Sequence, residues 1–69
     1  MFVVIELQEN GDTLQNLVTA HTTLREAESK YHTVLAAAAV STVPVHSAVL
    51  LSGSGNVIKN ESYRHDSEN

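Results

Sequence analysis

Only one stretch of this sequence repeats its apolar residues at helical spacing. Leu24, Ala27, Tyr31, Val34, Leu35 and Ala38 fall on one stripe, and Arg25, Glu28, Ser29 and His32 fall opposite. Thr23-Leu24-Arg25-Glu26 has the capping-box form, in which a hydroxyl and a carboxylate satisfy open N–H groups. The spacing predicts a helix from Thr23 to about Val40. Everything on either side of it alternates with a period of two, which is the strand pattern. A chain with one helix between alternating segments buries its apolar surface by laying that helix on a sheet.

Phe2 to Gln8 reads as a first strand, with Val3, Ile5 and Leu7 opposed to Phe2, Val4, Glu6 and Gln8. The first of these faces is purely apolar and is expected to meet the core. Glu9 to Thr13 reads as a turn, because Asn10-Gly11 between apolar runs is a strong hairpin signal. Leu14 to His21 is the returning strand, and its Leu14, Val18 and Ala20 face is taken as the inner one. Pro44 closes the helical region by biasing Val43 to extended geometry. Val45 to Leu51 is a third strand, Ser52 to Asn56 a loop, and Val57 to Arg64 a fourth strand, polar on much of both faces and so suited to an edge. His65 to Asn69 is a polar tail. The expected fold is α+β in the order β-β-α-β-β: a single domain over residues 1–64, with a four-stranded antiparallel sheet in the order 2-1-3-4 and one helix on one face.

Composition narrows the class. At 69 residues the chain is one domain, and so small a core is thin. Cysteine is absent, which removes disulfides and thiolate metal sites. The four histidines, His21, His32, His46 and His65, lack local metal-ligand spacing, so no metal or other cofactor is expected. No apolar run reaches the roughly 20 residues of a membrane span. The run that begins at Met1 has no basic leader and does not read as a signal peptide. A formal charge of −4 argues against a general nucleic-acid binder.

Apolar residues nevertheless occupy both faces of the first and third strands, and one helix covers only one face. Val34 to Val40 is apolar all round, which suits neighbours on more than one side. The chain is therefore expected to be a homo-oligomer, a dimer or higher, with Phe2, Val4, Ala36, Ala37, Ala39 and Val40 as candidate interface residues.

No nucleophile elbow or P-loop is present, and the chain is expected not to be an enzyme. His46 and Ser47 are adjacent, but alternation sends them to opposite faces. The Ser52 to Asn56 loop could cradle a phosphate, although such residues compose ordinary turns. Of the four bases, Arg25, Lys59 and Arg64, assembled around a symmetry axis with Tyr31 or Tyr63 stacking on a base, are the candidate ligand-binding set.

The runs Met1 to Gln8, Glu26 to His32 and Val43 to Ala48 resemble a family of short uncharacterised proteins encoded by phages and prophages of gut Firmicutes. The resemblance reaches to about His65 and carries no functional residue across. It implies a phage protein acting in the cytoplasm of its bacterial host. Small size, missing catalytic signatures and an implied oligomer then suggest a non-enzymatic protein that counters host defence. It would do so by sequestering a nucleotide-derived immune signal at a subunit interface, or by binding a host protein. The alternative is a structural or assembly accessory of the phage particle.

Overall fold

The computed structural model describes residues 1–65. Its elements are β1 (Phe2–Asn10), β2 (Thr13–His21), α1 (Leu24–Ala39), β3 (Val45–Ser52) and β4 (Val57–Arg64). They form one antiparallel sheet in the order β2-β1-β3-β4, the order expected from the sequence. The strands of the first hairpin are longer than expected. Asn10 is the last residue of β1 and pairs with Thr13, leaving Gly11-Asp12 as a two-residue loop. Gly11 takes φ 63°, the left-handed conformation that tight hairpin loops require.

Thr23 caps the helix from an extended backbone, and its hydroxyl accepts from the Glu26 N–H at 3.2 Å. The Glu26 carboxylate completes no reciprocal box. It accepts instead from the Thr22 hydroxyl at 3.3 Å. At the other end the N–H groups of Val40 and Ser41 turn back to the carbonyls of Ala37 and Ala38. His65 also belongs to the folded unit: its N–H donates to the Pro44 carbonyl at 2.7 Å and its Nε2 lies 2.8 Å from the Ala38 carbonyl. Of the expected tail, residues 66–69 lie outside the described residues.

The helix buries Ala27, Tyr31, Val34 and Ala38. Against them the sheet supplies Val4, Ala48 and Leu50, with Phe2 and Leu35 packed at the margin. Ala27, Ala38 and Ala48 are fully buried, so small side chains bring helix and sheet close together.

The covered face is therefore the one carrying Phe2 and Val4, which corrects the expectation that Val3, Ile5, Leu7 and Val18 meet the helix. Those residues do share a face, since Ile5 pairs with Val18 and Val49, but it is the far one. The reason lies in the connection. β2 and β3 are both antiparallel to β1, so they are parallel to each other, and α1 crosses over β1 between them. Such crossovers are right-handed almost without exception, and handedness selects the face whatever its hydropathy. Val4, 1% exposed, is core and not an available interface residue.

On β4 the pairing slips by one residue. Leu50 faces Lys59 but Leu51 faces Val57, so Ile58 is the extra residue of a bulge.

Two stability tests follow. Thr23→Ala removes one cap bond and should lower unfolding stability by about 1 kcal/mol in a urea melt. Ala48→Leu puts three carbons where the helix already touches the sheet and should cost about 1–3 kcal/mol or prevent folding.

Candidate functional site

Alternation along β1 places Glu6 and Gln8 on the helix side, beyond Val4. The register sets Ala48 and His46 of β3 beside them. His46 Nε2 lies 2.6 Å from Glu6 Oε2, and Gln8 Nε2 donates to the same oxygen at 3.1 Å. A carboxylate only accepts, so Nε2 carries the proton. His46 is 4% exposed, and its Nδ1 is buried with no partner among the described residues. An imidazole oriented by a carboxylate is half of a nucleophile–base arrangement. No hydroxyl reaches Nδ1 among the described residues, and Ser47 points to the other face. The pair anchors β1 to β3, and Glu6 Oε1 has no partner among the described residues.

The helix leaves the Leu17 to Thr13 end of β2 uncovered. Leu17, which pairs with Glu6 on the same face, is 53% exposed. Between the β1–β2 hairpin and the α1–β3 connection lies a groove of about 370 Å³ lined by Gln8, Asn10, Thr13, Gln15 and Val43. Gln8 and Gln15 also line a neighbouring hollow of about 120 Å³, with Glu6, Asn16 and Leu17. The side chains of Asn10, Thr13 and Gln15 form no hydrogen bond among the described residues. The groove is lined by amides, a hydroxyl and Val43, and among the described residues the single charge of the hollow is Glu6.

The residues named from sequence as ligand candidates do not converge. Tyr31, Lys59 and Tyr63 share the opposite flank of the helix, against β4. Burial raises the Tyr31 hydroxyl above the ordinary phenol range; Glu61 and Tyr63 add to the effect and Lys59 opposes it. Lys59 pairs with Glu28 at 3.1 Å, so an arriving anion would meet a cation already engaged and two carboxylates. Arg64 lies on the far face and Arg25 is exposed in the first helical turn. The Ser52 to Asn56 loop is closed on itself: the N–H of Asn56 donates to the Ser52 hydroxyl, that of Gly55 to the Ser52 carbonyl, and that of Gly53 to Met1. Those three donors are engaged within the protein, which counts against the phosphate reading. The histidines stay apart, and the described residues contain no cluster of three or more potential metal ligands.

Of the interface candidates, Phe2 is half-buried against the core, while Ala36, Ala37, Ala39 and Val40 are exposed, Val40 at 83%. The larger uncovered surface is the far face of the sheet. Its registered rows are Ala20-Val3-Leu51-Val57, Val18-Ile5-Val49-Asn60, Asn16-Leu7-Ser47-Ser62 and Leu14-Glu9-Val45-Arg64. None of these residues is buried, and Leu14, Val18 and Val57 are more than half exposed. Glu9 and Arg64, both in the end row, are its only charges.

Sequence reasoning missed the Glu6–His46 pair and the groove. Their signal was present in the polar end of the Phe2-Val4-Glu6-Gln8 face, which only the β1–β3 register turns into contacts.

Comparison with family models, with curated proteins and with solved structures finds no significant match. No described helix is long and apolar enough to cross a membrane.

Glu6→Ala strands the His46 Nε2–H in a buried position and should lower stability by roughly 1.5–3 kcal/mol, the range for a hydrogen bond to a charged group, measured by urea unfolding. The Tyr31 shift has a definite sign. The unfolded chain loses this proton near its ordinary value of 10, before the folded one does. The Tyr31 contribution is present below about pH 10 and is lost as pH rises through the raised folded value. Tyr31→Phe should flatten the fall in thermal stability on that alkaline limb.

Proposed function

We propose that the chain works as a homo-oligomer, most simply a two-fold dimer joined through the far face of its sheet, and that it acts by binding and not by catalysis. The observation that carries the assembly is the uncovered apolar face. Four strands at about 4.8 Å spacing and four rows of alternate residues span roughly 19 by 27 Å, or about 500 Å² in plan. Side-chain relief brings such an area toward the roughly 800 Å² per partner of a standard interface. Ten of the sixteen residues in these rows are apolar, so left bare the face would approach the larger apolar patches of ordinary monomers.

A two-fold axis parallel to the strands lays β1 of one copy over β3 of the other, and β2 over β4. It matches the two apolar rows to each other. It sets Val18 of β2 over the hollow of about 280 Å³ that Ser47, Val49, Val57, Asn60 and Ser62 help to line. In the end row it brings Arg64 of one copy beside Glu9 of the other. Paired sheets in this arrangement form the layered packing of a sandwich.

The binding role is the sequestering of a nucleotide-derived immune signal, in the phage setting implied by the family resemblance. The buried His46 with no hydroxyl at Nδ1 supports binding over catalysis. The open polar groove supports a small-molecule ligand over a host protein.

The assembly is tested by light scattering: the expected mass is twice the 7.5 kDa of one chain. Val18→Lys, at a position 55% exposed in the single chain, should give a folded monomer. A monomeric parent, or a Val18→Lys dimer, would overturn it. The ligand role is tested by thermal shift against cyclic and ADP-ribose-type nucleotides. A panel without any shift, together with the chain in purified virions by mass spectrometry, would favour the particle accessory instead.

A further inference from the structure

We infer that the groove between the β1–β2 hairpin and the α1–β3 connection, together with the Glu6 hollow beside it, is a site for the vicinal diol of a sugar ring, with Glu6 as its acceptor and Gln8, Asn10 and Gln15 as flanking amides. The inference rests on the binding role proposed above and names the part of the ligand that this site takes.

The carboxylate is held ready. Glu6 Oε2 is occupied by His46 Nε2–H at 2.6 Å and by Gln8 Nε2–H at 3.1 Å. Both lone pairs of that oxygen are used, and the side chain cannot rotate without breaking both bonds. Oε1 keeps two free acceptor positions, and the Glu6 side chain is 17% exposed, enough to be reached from the hollow it lines. Two free lone pairs beside a fixed carboxylate suit two donors set close together, which is what adjacent hydroxyls on one ring present.

The surrounding groups fit the same ligand. Gln15 and Asn10 carry amides that donate and accept, so they serve hydroxyls in either role. The volume of about 370 Å³ falls in the range of small-molecule sites and admits a sugar ring or a nucleoside. Leu17 and Val43 give apolar edges for the ring carbons. Among the described residues no charged side chain lines the groove itself, and the hollow beside it holds the Glu6 carboxylate, which disfavours anionic groups there. Phosphates of a nucleotide ligand would therefore point out to solvent.

Free sugars and nucleosides share this chemistry, and the test separates them. Amide-detected NMR of the labelled protein, including the side-chain amides of Gln8, Asn10 and Gln15, is titrated with adenosine, 2′,3′-dideoxyadenosine and methyl glucoside. Light scattering on the same samples records the assembly. Adenosine is expected to move these three amides and dideoxyadenosine to leave them still. Movement with methyl glucoside too would show that the diol suffices, and its absence that the base contributes. Gln15→Ala, at an exposed position, should weaken adenosine binding about fivefold, the loss of one neutral hydrogen bond, with the fold retained. Equal shifts with adenosine and dideoxyadenosine would overturn the inference. So would still amides with every probe; if the nucleotide panel then still stabilised the protein, binding would stand and only this site would fall.

Discussion

The structure depends on a constraint of connection: one helix must carry the chain from β2 to β3 across β1, and it can lie on one side only. β1 is hydrogen-bonded along both edges, so it has no choice of neighbours. Its residues are divided between a side with the helix and a side without. The side that receives the helix supplies Val4, Ala48 and Leu50 to a core of few residues. The side left bare carries more apolar residues than the covered one. Both the thin core and the surplus surface follow from the same crossing.

That constraint explains what was legible in the sequence. Element types and strand order could be read because hairpin turns, a capping threonine and a helical stripe are local signals. The grouping of Val3, Ile5, Leu7, Val18 and Ala20 on one face could also be read, since alternation is local. Which face the helix would take could not. Counting apolar residues favours the face with none but apolar side chains, whereas chain handedness does not respond to hydropathy. The same error placed Val4 among interface residues. The candidate site failed to show for a related reason. Glu6 and His46 are separated by forty positions, and each is unremarkable in its own strand until register sets them side by side.

The distribution of charge separates two flanks of the helix. Toward β4, Lys59 is balanced by Glu28 and Glu61, and the aromatic Tyr31 closes the space beneath. Toward the β1–β2 hairpin the sheet is left open, and there Asn10, Thr13 and Gln15 carry hydrogen-bonding groups that have no partners among the described residues. Sequence reasoning gathered the cations because anions need them. The fold dispersed those cations and gathered amides, so the groove offers neutral hydrogen-bond partners in place of cations.

The bulge in β4 has a consequence for how that strand tolerates change. An extra residue reverses the phase of side-chain alternation, so the residues before and after it are read by opposite rules. With Ile58 set out of register, Val57 occupies the corner of the bare face opposite Leu51. Were Ile58 in regular register, it would occupy that corner itself. The position is thus written twice in the sequence. A slip confined to the start of the strand exchanges one branched aliphatic for another and never brings the charge of Lys59 onto the apolar surface.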